Sequence, residues 1–134
     1  MVLLAVLSVL IMAVLITFVQ YEQFYREMRL AVKNSAISLS DLVNSQGTEL
    51  LDLIQKSPDA NRITLVDTDG TVLFDNKSDP AKMENHLDRP EIQAAIKNGR
   101  GESERLSETL SEITYYYAVK LDDGNILRIS RTRQ

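Results

Sequence analysis

His86 is the only imidazole in the 134-residue chain, and the chain has no cysteine. A nucleophilic triad or a histidine-based proton relay would have to pass through that one side chain. A metal centre would get one imidazole and no thiolate. Asp67 and Asp69 stand beside Gly70 in Asp-Thr-Asp-Gly-Thr, but a calcium loop needs a third acidic ligand and a later glutamate in frame, so these residues read as turn formers. Gly99-Arg-Gly101 lacks the GxxxxGK[ST] frame of a phosphate loop. No ATP site is legible, and neither a cofactor nor a metal is expected.

Binding chemistry remains. Arg89, Arg105, Tyr115 and Tyr117 are the polar and amphipathic groups that would converge, with His86, if short helices and a sheet face enclose a cavity. Arginine holds an anion through a two-pronged fork, and tyrosine hydroxyls fix its orientation. The plainer alternative pairs Arg89 with Asp88 or Glu91 and makes the tyrosines core residues with local partners. Likewise Glu102, Glu104, Glu108 and Glu112 read either as a divalent-cation cluster or, more simply, as charges guarding a sheet edge.

The elements that must position these groups begin with Met1 to Val19, nineteen residues without a charge in which Ser8 and Thr17 are the only polar members. As a helix this stretch reaches roughly 28 Å, near the thickness of a bilayer's hydrocarbon layer. All 15 Lys and Arg and all 19 Asp and Glu lie beyond it, for a formal charge of −4. That sign disfavours nucleic acid as a partner. A transmembrane helix over residues 1–19 is therefore expected, with a soluble part beyond it large enough for one modest domain.

From Gln20 to about Lys56 apolar residues recur in steps of three and four, through Tyr25, Met28, Val32, Ala36, Leu39 and Val43. This predicts a long outer helix over 20–56, weakest at Gly47, ended by Ser57-Pro58-Asp59. Its near-heptad spacing serves equally as a homodimer seam or as the face that packs on the chain's own sheet. A domain over 57–134 follows. Asp69-Gly70 and Asp123-Gly124 each turn one strand into the next. Asp79-Pro80 and Asp88-Arg89-Pro90 open two short helices, the second closing at Gly99. Strands are expected from Gly101 to Ser107, Ile113 to Leu121 and Ile126 to Ser130. Alternation puts Tyr115 and Tyr117 on a buried face, as against the long helix, and Thr114, Tyr116, Ala118 and Lys120 on a mixed face suited to cover a polar pocket. The order predicts an α+β domain with a five-stranded antiparallel sheet, short connecting helices and the long helix packed on it.

A membrane helix running into an outer helix, then RITLVDTDGTVLFD, then MENHLDRPE, a tyrosine-rich strand and LRIS resembles the outer sensor region of bacterial sensor histidine kinases of the phosphate-regulon type. The resemblance covers essentially the whole chain and implies a PAS-like sheet in the PDC or single-Cache style. It implies signal reception outside the cell by residues after about 20, a cell-membrane location, and transmission through the N-terminal helix. Phosphotransfer inside the cell, and contact with a response regulator, would fall to a second span and kinase modules beyond Gln134. His86-Leu-Asp-Arg-Pro90 is similar only superficially to the family's phosphoacceptor box, because the spacing differs and the segment sits on a connector between strands. A small, anionic ligand entering between that connector and the strand from Ile113 is expected. A chemoreceptor or cyclase sensor is the alternative, and a pilin-like subunit or a membrane-anchored scaffold competes from another class. Pilin-like chains carry a glutamate early in the apolar run, and Met1 to Val19 has none.

Overall fold

The computed structural model describes residues 1–54, 61–106 and 112–133. Helix α1 spans Val2–Gln46, and the chain divides into two units, Met1–Leu30 and Ala31–Gln134. In the first unit the apolar side chains from Met1 to Val19 are exposed, and the helix is long and apolar enough to cross a membrane. Further along, Arg29 stacks on the ring of Tyr25, its guanidinium 5.1 Å from the ring centre.

α1 ends earlier than periodicity predicts. Gly47 takes φ +92°, a backbone conformation open to glycine at little cost, and the chain continues as a 3-10 helix over Thr48–Leu53. The expected stop at Ser57-Pro58-Asp59 lies outside the described residues.

Among the described residues, the second unit has five strands: β1 (Arg62–Val66), β2 (Val72–Asp75), β3 (Arg100–Leu106), β4 (Ile113–Lys120) and β5 (Ile126–Arg133). They pair antiparallel throughout, in the order β2-β1-β5-β4-β3. The expected α+β class, with a long helix, an antiparallel five-stranded sheet and short helices, is thus the observed one. Gly70 and Gly124 have φ near +90°, as their tight turns require. Asp79 caps the 3-10 helix Pro80–Lys82 by accepting a hydrogen bond from Ala81 N at 3.1 Å. Helix α2 (Pro90–Asn98) starts on a proline and ends at Gly99 in the left-handed region.

Outside the irregularity between β1 and β2 at Leu65 and Val66, register assigns the strand residues to one of two faces. Pairs Ser103↔Tyr116, Tyr116↔Ser130 and Thr64↔Arg128 share one face with Gly101, Arg105, Ala118 and Ile126. α2 covers this face, and Val66, Val72, Ile92, Ala95, Ala118 and Ile126 form its apolar core with Met83 and Ile96 packed alongside. The other face carries Tyr115, Tyr117, Leu127 and Ile129, all buried. Residues of α1 from Ala31 onward lie against it. Lys33 sits over the Tyr117 ring at 6.0 Å, Asn44 Oδ1 accepts from Asp122 N at 3.0 Å, and Val32, Ala36 and Val43 are buried. One face is sealed by a helix that supplies apolar groups; the other holds charge.

Candidate functional site

Glu91 occupies the first turn of α2 and is completely buried. An isolated carboxylate at such a position would be very costly, so its partners define the site. Arg105 on β3 grips it with both prongs, Nη1 to Oε2 at 2.9 Å and Nη2 to Oε1 at 2.8 Å. Ser103 Oγ donates to Oε2 at 2.6 Å, and Arg128 on β5 donates from Nη1 to Oε1 at 3.0 Å. Ser103 and Arg105 face α2 together because they are two residues apart on one strand.

Tyr116 lines the cluster from β4, with the guanidinium of Arg105 3.7 Å from its ring centre and that of Arg128 at 4.8 Å. The planar cations therefore gain from the ring as well as from the carboxylate. Arg128 continues the network through Nη2, 3.4 Å from Thr64 Oγ1. Thr64 in turn donates to Asp75 Oδ2 at 2.8 Å. Asp75 also accepts from Arg62 Nε at 2.9 Å and from the backbone N–H groups of Lys77 and Ser78 at 2.8 Å each. A chain of polar groups thus runs across the sheet from β3 to β2, with α2 packed over its β3 to β5 part.

Burial alone would raise the pKa of Glu91, but hydrogen bonds from Arg105 and Ser103 and the charge of Arg105 outweigh it and hold the carboxyl at about 2. Asp75 is balanced the same way: burial pushes it up, and bonds from Arg62, Lys77 and Thr64 pull it below the ordinary value. The arginines divide. Burial opposes the charge on both, yet the bond to Glu91 carries Arg105 upward, whereas for Arg128 burial and the nearby Arg105 prevail and lower it. Among the described residues, Arg128 Nε is buried without a hydrogen-bond partner. The cluster of Glu91, Arg105 and Arg128 holds two cations against one anion.

Of the residues expected to converge, Arg105 is in this cluster. His86 lies at its margin, where its backbone N–H donates to Gly70 O at 2.8 Å and Nδ1 is 2.7 Å from Glu84 O. Burial, followed by the charges of Arg128 and Arg89, lowers its pKa and favours the neutral ring. Among the described residues, Arg89 makes loose ion pairs, 3.8 Å to Glu84 and 3.9 Å to Asp88, with exposed partners that contribute little. Tyr115 and Tyr117 point to the opposite side of the sheet, the first donating to Glu102 and the second beneath Lys33. Glu102 and Glu104 are exposed on the edge strand β3, and Glu108 lies outside the described residues.

Glu91, Ser103, Tyr116 and Arg128 escaped the expected set. Two signals were present for them. Tyr116 falls on the mixed face by alternation, and Arg128, between Leu127 and Ile129, is turned by the same alternation away from their apolar face.

An antiparallel sheet in the order β2-β1-β5-β4-β3, with helix residues from Ala31 on one face and a short helix over a charged face, makes this an α+β domain. The family model for single Cache-like domains matches residues 31–127, and the chain belongs to that family. Among solved structures it is similar to the extracellular domain of a protein named as a histidine kinase, rpHK1S-Z16 (15% identity, 67% of this chain and 37% of that one, TM-score 0.44). It is also similar to the Bacillus subtilis YkuI protein, which has an EAL domain (17%, 84% and 36%, TM-score 0.43). A third is a sensory box sensor histidine kinase from Vibrio cholerae (14%, 76% and 98%, TM-score 0.39). The chain spans little more than a third of the first two. A comparison with curated proteins finds no match.

Proposed function

We propose that the chain is the extracytoplasmic sensing part of a membrane-bound sensor histidine kinase of the phosphate-regulon type, working as a homodimer through α1. The observation that carries this reading is that α1 contains both the apolar stretch and the residues from Ala31 that lie on the sheet of a single Cache-like unit. A signal that prefers one arrangement of this unit acts on the helix that enters the membrane. Binding energy shifts such an equilibrium only by its difference between the two states. The small-ligand site of this proposal centres on Arg105, with His86 and Arg89 beside the connector; Tyr115 and Tyr117 serve the helix-bearing face. Kinase activity and the response regulator belong to the parent protein.

The test is the coding sequence past Gln134 together with a topology reporter. A second apolar span, a phosphoacceptor helix and an ATP-binding domain are expected, and a phosphatase reporter fused after Gln134 should be active outside the cytoplasm. Chemoreceptor or cyclase modules downstream would replace the kinase assignment, and a cytoplasmic reporter signal would end the extracytoplasmic one.

A further inference from the structure

The contacts around Glu91 are those that a receptor makes to a bound carboxylate: a two-pronged guanidinium, a second guanidinium on one oxygen and a hydroxyl on the other. The group so held is supplied by the chain itself. We propose that Arg105, Arg128 and Ser103 form a recognition site for small carboxylates, occupied at rest by Glu91 as a tethered ligand, so that a diffusible carboxylate binds by exchange and releases the first turn of α2 from the sheet.

Three observations support exchange rather than a permanent structural bridge. The clamp has one more positive charge than Glu91 neutralises, and Arg128 Nε is a buried donor with no partner among the described residues, so an incoming anion finds capacity that Glu91 leaves unused. Arg105 keeps a third of its side chain exposed, which gives solvent a route to the site. Glu91 is also carried by a nine-residue helix attached through a connector, an element small enough to shift without dismantling the sheet. The pair of 2.8 and 2.9 Å contacts is the two-pronged grip of a guanidinium on two oxygens of one anion, and Glu91 itself shows that a carboxylate fits it. Tethering raises the local concentration of Glu91, so the resting clamp is competed rather than empty.

This inference rests on the sensing role proposed above, but its test reads binding and not signalling. Full-length chain in detergent micelles is titrated with acetate, malonate and inorganic phosphate, with chloride as the ionic-strength control, and hydrogen exchange is followed over residues 90–98. Wild type should bind the carboxylates weakly and expose the α2 amides as it does so, whereas ordinary stabilisation by a ligand would protect them. Glu91→Ala should bind the same carboxylates at least about tenfold more tightly, since the tethered competitor is gone. Adding Arg105→Ala should abolish that binding. If Glu91→Ala fails to fold alone, recovery of its structure by acetate but not by chloride supports the proposal, and Glu91→Gln repeats the titration with the shape retained. Equal affinities in wild type and variants, no saturable carboxylate effect, or wild-type α2 amides that slow on binding each overturn it. Phosphate binding without carboxylate binding overturns the ligand class. A working sensor whose carboxylate titrations fail would leave the sensing role standing and remove only the exchange.

Discussion

Acidification should remove a defined part of the domain's stability through Glu91. Its carboxyl is held at about 2 against an ordinary 4.5, so the folded state favours the charged form. The contribution is complete above the unfolded value and is lost as pH falls through the window from about 4.5 to about 2. At about 1.4 kcal/mol per pH unit, the drop corresponds to about 3 kcal/mol at neutral pH, and by about pH 3 less than half of it remains. The side chain is wholly shielded from solvent, so little of this is lost to screening. Glu91→Gln keeps the shape and removes the charge, leaving Arg128 buried without its counter-ion; a loss of about 3 kcal/mol is expected at pH 7. Urea unfolding of both proteins in micelles, followed by circular dichroism from pH 7 down to pH 2, measures the difference. Asp75 titrates in both and cancels. A wild-type to variant gap that stays constant across the range would refute the reasoning, because it would mean that the carboxylate's charge does not hold α2 to the sheet.

The remaining expectations concern close approach and assembly. A Cβ at Gly101 would lie 2.6 Å from the Ala94 Cβ and closer still to the Glu91 carbonyl, so Gly101→Ala should lift α2 and cost about 1–3 kcal/mol in urea unfolding. Unchanged stability would show that α2 yields freely. Gly70 combines φ +92° with a virtual Cβ 2.6 Å from the Leu87 Cβ, so Gly70→Val should cost more than about 1 kcal/mol, checked by thermal unfolding. For the proposed homodimer, Val32 is fully buried in its own chain and Tyr25 and Met28 are 7% exposed; single cysteines at exposed Phe24, Ala31 and Leu42 should therefore cross-link, with Val32→Cys as the silent control. A uniform or absent pattern would remove the seam along α1.

Much of this fold follows from local physics that the order of residues alone makes legible. The uncharged run to Val19, the helical steps after it, the Asp-Gly turns at Gly70 and Gly124, and the proline that opens α2 each depend on neighbours in sequence. Alternation along β4 already separates Tyr116 from Tyr115 and Tyr117. The stop at Gly47 lies at the edge of such legibility, because glycine permits the break that Gln46 precedes but does not require it. The site is different in kind. Glu91 lies 14 residues from Arg105 and 37 from Arg128, and neither spacing follows any periodicity. Taken alone, an acidic residue after Pro90 suits a helix's first turn and an arginine on an edge strand suits solvent. Only the antiparallel register, which sets β5 beside β4 and β4 beside β3, and the docking of α2 across them bring both guanidinium groups to within 3.0 Å of the Glu91 carboxylate. Burial then turns residues that would be ordinary surface charges into a clamp, because in a low-dielectric interior each must find its counter-ion.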